Sequence, residues 1–447
     1  MFENVLGQPA AGQLIQDIKA GVLAPAMLFS GPPASGKGTT ALELGRIISC
    51  EGEAEWNCGC SSCSRYRRLI NPDLLCLGPR SFSAEIAASA ATFLRDAAPE
   101  NRNQASRLLF IRSVQKLLAR FNPVLWEDDP KASKVSVLAN ALEENLDEID
   151  QDSNLQGSGV RSQDARSSIA KLADTVLKNA FKLESEGMGE TIPIAQLRRA
   201  ASWAWLAPSG RRKLLLIENA DRMQEEARNS LLKLLEEPPA RVSIALTSSQ
   251  PGSMLPTVLS RLRPYRFIAR DAAVENEVIR RVFRDEGRSV RISDYLDSFL
   301  PVSKEILNAA AAFFAASAAY KAFLLSKKAG RSLAEEAVLL GKYAARGAEA
   351  AGLGRPQGEV AAVIALVLDK TEGFEIPSLF PRFLGCLAEL VSRSFGEASS
   401  FLPGVAYNEL WKKSLNWAES AVKVYRLRAA HVLEKLFLDL GRGMAGL

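Results

Sequence analysis

Residues Ala26–Thr39 read AMLFSGPPASGKGT. A short apolar run, Ala26 to Ser30, enters a turn of glycine and proline, and a helical pattern follows from Lys37 to Ile48. This order of strand, loop and helix is the context that a phosphate-binding loop requires, and Gly31, Pro32, Pro33, Ala34, Ser35, Gly36, Lys37 and Gly38 carry its spacing. Backbone N–H groups of such a loop, with the positive end of the helix dipole, surround phosphate oxygens, and Lys37 reaches the outer phosphates. The next position ordinarily supplies a Ser or Thr hydroxyl to Mg²⁺; Gly38 has no side-chain oxygen. Thr39 is one residue further, turned by ~100° about a helix, and does not simply replace it.

Working outward, three more strand-like runs appear at Leu74–Leu77, Lys213–Ile217 and Val242–Thr247, with a helical pattern from Gln224 to Glu237 between the last two. Strands alternating with helices predict a parallel sheet covered on both faces, so the first part is α/β, spanning 1–267. From about 80 to 190 the alternation stops, and an alanine-rich helical section reads as an insertion. Within it Leu108, Ile111, Leu118 and Phe121 share one face, with Arg112, Lys116 and Arg120 spaced by four on another, as in an amphipathic helix. The acidic run Ala141–Asp152 leads into SNLQGSGVRSQD, which reads as a linker. Beyond Phe267 the pattern is helical throughout, in two modules, 268–326 and 327–447. The last long segment, Asn408–Leu440, sets Leu410, Leu415, Trp417, Val424, Leu427, Leu433 and Leu436 on an apolar stripe suited to a core.

Composition narrows the chemistry. A chain of 447 residues has room for about three domains, and 47% hydrophobic with 24% charged residues is a globular proportion that excludes a disordered or collagen-like chain. The net charge of +5 is too small over this length to name a partner. The single histidine, His431, excludes mechanisms that need two imidazoles and histidine-rich metal sites. The opening MFENVLGQ lacks the basic flank and apolar core of a secretory signal, and the apolar stretches 309–319 and 360–368 are shorter than a bilayer span of ~20 residues. A cytoplasmic protein without a membrane segment is expected. Four of six cysteines, Cys50, Cys58, Cys60 and Cys63, crowd into C-x7-C-x-C-x2-C, which suits a closed tetrahedral zinc site that staples a loop. Cys76 and Cys386 stand apart and read as small core residues.

The FENVLGQ opening, LFSGPPASGK, the cysteine cluster, NPDLLCLGP and the stretch from Arg211 to Leu262 come in one order that resembles the clamp-loader AAA+ subunits of bacterial DNA polymerase III, the gamma/tau and delta-prime group. The resemblance covers about 1–78 and 192–285. It implies an α/β P-loop (AAA+) domain over 1–267, then a helical lid and an all-α collar-type domain. It also implies ATP as ligand, and as partners other clamp-loader subunits in a hetero-oligomeric ring, a sliding clamp and primed DNA.

Residue by residue, Lys37 matches the phosphate-loop lysine. Glu218 and Asn219 match the Walker B pair, where the ATPase subunits carry Asp and Glu. Thr247 matches the sensor position and Arg261, in Ser260-Arg261-Leu262, the arginine that reaches ATP on a neighbouring subunit. Asn219 is no base, since an amide accepts no proton at neutral pH. Gly38, Asn219 and the lack of a clear Gly-x-x-Arg helix after Phe267 all point to weak hydrolysis, which favours a delta-prime-like subunit donating Arg261 in trans. The alternatives are a gamma/tau-type ATPase and, more distantly, a nucleoside monophosphate kinase suggested by GKGT at Gly36–Thr39. Arg65, Arg67 and Arg68 beside the cysteines could meet DNA phosphates.

Overall fold

The computed structural model describes residues 1–96, 104–151, 163–189, 191–286, 290–374, 379–397, 401–423, 425 and 427–446. The linker expected at 153–164 lies largely outside them. The chain divides into two compact units, Met1–Phe299 and Leu300–Leu447.

The first unit is built on a five-stranded parallel sheet. Its elements begin with α1 (Pro9–Lys19), β1 (Ala26–Ser30), α2 (Lys37–Ile48), α3 (Ser61–Arg68) and β2 (Leu74–Leu77). A helical section follows: α4 (Ser83–Asp96), α5 (Gln104–Leu118), a 3-10 turn at Ala119–Phe121, α6 (Pro123–Trp126), α7 (Ala132–Gln151), α8 (Gln163–Gly187) and α9 (Ile194–Trp205). The sheet resumes with β3 (Lys213–Ile217), α10 (Glu225–Glu236), β4 (Val242–Ser248), α11 (Pro256–Leu259) and β5 (Arg263–Arg266), before α12 (Ala272–Val278) and α13 (Ile292–Asp297). The strand order is β2-β3-β4-β1-β5.

Residues alternate between two cores because successive side chains of a strand point to opposite faces. Leu28, Leu75, Leu77, Leu215, Ile217, Ile244 and Leu246 face one core. Met27, Phe29, Leu74, Cys76, Leu214, Leu216 and Ala245 face the other, which explains why the central strands read as continuous apolar runs.

The helical section is not a detachable insertion. Phe82, Ile86 and Phe93 of the α4 region, Phe110 and Val114 of α5, Leu142 of α7 and Val176 of α8 share one core with Leu75, Leu77, Leu215 and Ile217 of the sheet. The span read as a lid, 268–326, is divided by the unit boundary. Ile279, Phe283, Ile292 and Tyr295 pack with Ala88 of α4, and Thr92 Oγ1 donates to the Phe283 carbonyl at 3.3 Å, so this part belongs to the first unit.

The second unit is helical in all its described elements: α14 (Lys304–Lys328), α15 (Glu335–Ala350), α16 (Val360–Lys370), α17 (Leu379–Glu397), α18 (Phe401–Lys423) and α19 (Ala429–Gly446). In length and composition α14 could cross a membrane, but most of its apolar window is buried within the unit. Phe314 at its centre meets Phe383 and Phe437 edge-on, with ring centroids 5.8 and 5.7 Å apart. The stripe expected over Asn408–Leu440 is broken between α18 and α19. Its α18 members Leu410, Leu415 and Trp417 are half-buried, while Tyr407, Trp411, Ala418 and Ala421 fill the core; Leu427 is exposed, and Val424 lies outside the described residues.

Candidate functional site

Register brings the site together. Ser30 pairs with Ser248 and Arg266, and Ile217 with Leu77 and Leu246, so the loops after β1, β2, β3 and β4 leave the same carboxyl edge of the sheet. In an open parallel sheet that edge is where ligands bind.

The phosphate-loop motif lies at this edge. Gly36 takes φ 91° and caps the N-terminus of α2, a conformation that glycine adopts without strain. Ser35 Oγ donates to the Pro32 carbonyl at 2.8 Å, and Thr40 Oγ1 to the Gly36 carbonyl at 2.9 Å, which fixes the loop from inside. Lys37 is buried and folded back, its Nζ donating to the carbonyls of Gly31 at 2.7 Å and Pro32 at 2.6 Å and to Ser249 Oγ at 3.3 Å. Burial lowers its pKa to about 8, against the pull of Asp221 and Glu218. Arg270 closes the loop's outer side, donating from Nη1 to the Ala34 carbonyl at 2.6 Å and from Nε to the Leu6 carbonyl at 3.1 Å. Pro33, Ala34 and Thr39 are exposed.

Glu218 and Asn219, expected from the sequence as a Walker B pair, both have protein partners. Glu218 is buried beside the start of α2: a Cβ added at Gly38 would stand 2.2 Å from its Oε1. Arg80 Nη1 lies 3.5 Å from Oε1, and the buried Arg120 donates from Nη2 to Oε2. Glu85 pairs with both Arg80 and Lys116. Burial alone would raise the Glu218 carboxyl; Arg80 and Arg120 hold it below the usual range. Glu85 is raised by burial but drawn down to about 2 by Lys116 and Arg80.

Asn219, at φ 50°, donates from Nδ2 to the Pro79 carbonyl at 2.6 Å, and its backbone N–H donates to Thr247 Oγ1 at 3.1 Å. The sensor-position hydroxyl is thus tied to the end of β3. Asp221 accepts from Ser248 Oγ at 2.6 Å. These residues do not fit Mg²⁺: Gly38 brings no hydroxyl, and both oxygens of Glu218 are held by guanidinium groups.

Arg80, Glu85, Lys116 and Arg120 gather around Glu218 and are not singled out by the motif reading, which does take in Asp221 as the end of the Ile217–Asp221 stretch. The only signal was the four-residue spacing of Arg112, Lys116 and Arg120, which reads as the polar face of an amphipathic helix but here points into buried contacts.

Arg261 lies apart from this cluster on the turn after α11. It is exposed, and donates to Glu236 Oε1 and to the Thr257 carbonyl, each at 2.7 Å.

The four cysteines do come together. All their Sγ atoms lie within 4.8 Å of one another, with Cys50–Cys58 at 3.6 Å and Cys50–Cys60 at 3.9 Å. Tetrahedral Zn–S bonds of about 2.3 Å imply S···S edges of about 3.8 Å, so the donor set fits zinc. The N–H groups of Gly52 and Ala54 donate to Cys50 Sγ at 3.2 Å, and the buried Arg46 to Cys63 Sγ at 3.3 Å, donors of the kind that orient sulfur ligands around a metal. Arg46 is fixed by Glu43 and by the Ala54 and Glu55 carbonyls. Arg67 donates to the carbonyls of Trp56 and Cys58 and closes the module on itself, while Arg68 pairs with Asp150 and ties it to α7.

A parallel sheet with the Gly31–Gly38 loop after β1 and Glu218 after β3 at its carboxyl edge defines an α/β protein of the P-loop (AAA+) fold. A family profile described as "DNA polymerase III, delta subunit" matches residues 7–126 and 130–271, more than half of the chain, and the chain belongs to that clamp-loader family. The delta-prime subunit of DNA polymerase III from Pseudomonas aeruginosa is 36% identical over 107 residues, 24% of this chain and 33% of that protein. The Bacillus subtilis delta-prime subunit is 43% identical over 56 residues, 12% of this chain and 17% of that protein. The chain therefore spans a third or less of the length of these relatives. A crystal structure of a DNA polymerase III gamma subunit-related protein from Thermotoga maritima is 19% identical, covers 57% of this chain and 80% of that one, and gives a TM-score of 0.28.

Proposed function

We propose that the chain is a delta-prime-like member of a clamp-loader ring, which assists ATP-dependent loading of a sliding clamp onto primed DNA by presenting Arg261 to ATP on a neighbouring subunit. One contrast carries the reading: Arg261 is exposed on a turn, while the chain's own Walker B carboxylate is ion-paired and Asn219 is bonded to a backbone carbonyl. An arginine supplied in trans stabilises transition-state charge, with effects of about a thousand-fold or more in related NTPases. Arg261 would exchange Glu236 for phosphate oxygens on assembly, a small cost for an exposed pair.

In this reading the loop Gly31–Thr39 binds ATP phosphates, Thr247 and Asn219 are structural, and Cys50, Cys58, Cys60 and Cys63 hold a structural zinc that pins the segment between α2 and α3. The ring, clamp and primed DNA are the partners, and the cytoplasm is the compartment. A gamma/tau-type motor would need a free carboxylate and a metal ligand after Lys37; Gly38, Asn219 and the exposed Thr39 weigh against it. The family match argues against the kinase reading of Gly36–Thr39. The test is ATP turnover by a ring assembled with partner ATPase subunits, clamp and primed DNA. Arg261→Ala should lower turnover by about a thousand-fold or more at the adjoining site; unchanged turnover overturns the reading.

A further inference from the structure

We infer that the guanidinium groups of Arg80 and Arg120 stand, as built-in cations, in the place a divalent metal takes beside the phosphate loop of this fold. The inference rests on reading this edge of the sheet as a nucleotide site, but not on the trans role of Arg261.

Three observations carry it. The first is steric. Glu218 Oε1 fills the volume in front of Gly38, where a side chain carrying the metal-binding hydroxyl would begin, 2.2 Å from an added Cβ; Arg80 Nη1 is 3.6 Å from the same point. Loss of the hydroxyl and advance of the carboxylate are thus one change.

The second is charge. Arg80, Lys116 and Arg120 face Glu85 and Glu218, and the third carboxyl nearby, Glu184, accepts from Ser83 Oγ at 2.7 Å and the Phe82 N–H at 3.2 Å. Asp221 lies close enough to Lys37 to act on its charge. The cluster is balanced or in cationic excess, whereas a divalent cation is drawn by an anionic excess.

The third is hydrogen bonding. Nε and Nη1 of buried Arg120 meet no oxygen acceptor among the described residues, with only the weakly accepting Cys76 sulfur near this guanidinium, while both oxygens of Glu218 are engaged. The site is short of acceptors, and a metal supplies none. Both guanidiniums also lie over the Phe82 ring, at 5.2 and 5.6 Å, so their position is set by packing as well as by charge.

The experiment is thermal melting of the full isolated chain with and without added Mg²⁺ or Mn²⁺, without chelator so that the thiolates are untouched. The wild type should melt at the same temperature in both, and adding Mn²⁺ to ATP-containing protein should move the midpoint no further. Arg80→Met/Arg120→Met leaves Glu218 unpaired, and metal should then raise the midpoint by several degrees; adding Glu218→Gln should abolish that rise. Arg80→Lys/Arg120→Lys should remain indifferent to metal. Should the double methionine variant fail to fold, Arg80→Met alone, which keeps the Arg120 pair, should show a smaller rise. A metal-stabilised wild type, or a folded methionine variant that ignores metal, overturns the assignment. Neither result bears on Arg261, whose test exists only in the assembled ring.

Discussion

Two places in the first unit gather metal-ligand side chains, and they are arranged in opposite ways. Around Cys50, Cys58, Cys60 and Cys63 the sulfurs face one another at metal spacing, with the Arg46 guanidinium donating to one of them and Arg67 and Arg211 to the cysteine backbone. Around Glu218 the cations come from the chain itself and sit on the carboxylate oxygens. The first arrangement has the spacing of a metal site; the second fills its carboxylate oxygens with the chain's own guanidinium groups. The cysteines all come from one short stretch of sequence, whereas Arg80 and Arg120 reach Glu218 from distant sequence and lie over the Phe82 ring.

The largest expected effect lies at the cysteines. Structural zinc contributes on the order of 10 kcal/mol to small modules; Cys63→Ala or chelation should therefore unfold the segment between α2 and α3, read as zinc release together with a lowered melting point. A chain that melts unchanged after chelation would break the contrast.

Next comes Arg120→Met. It strands a buried carboxylate, and urea titration should show a loss of about 3–5 kcal/mol. Adding Glu218→Gln should recover part of that loss, because the pair is coupled.

The pH response sharpens the same point. Glu85 and Glu218 are held below their ordinary values, so their contribution is complete above about pH 4.5 and disappears as pH falls towards 2, the folded value of Glu85. Glu85→Gln should flatten acid unfolding in that window. Lys37 moves stability in the same direction with pH, but as relief of a penalty in an alkaline window. Its pKa of about 8 in the folded chain penalises the protonated form, and the penalty is relieved between pH 8 and 10.5, so the wild type should gain stability relative to Lys37→Met over that range. The smallest effect is Arg261→Ala, whose exposed pair with Glu236 should cost below about 1 kcal/mol in melting experiments.

Much of this was legible in the sequence where one local pattern suffices. Four strands stood out as apolar runs, α2 and α10 matched their helical patterns closely, and the cysteine spacing anticipated the cluster. β5 escaped because an edge strand buries only Tyr265 and exposes Arg263, Pro264 and Arg266; proline is tolerated there since an edge strand has one unpaired side. The partners of Glu218 escaped for a different reason. Arg80 and Arg120 are 138 and 98 residues away in sequence, and nothing local distinguishes an arginine that will be buried against a carboxylate from one on a wet helix face. The α18 stripe slipped in register because Ala418 and Ala421 fill core positions that a search for large apolar residues passes over.

The contrast itself is tested most directly by metal analysis of the full chain, purified in the presence of zinc and then equilibrated with Mn²⁺ and ATP. Retention of one zinc per chain with no manganese above that carried by free nucleotide is the predicted result. Stoichiometric manganese, or a folded chain devoid of zinc, would contradict the account.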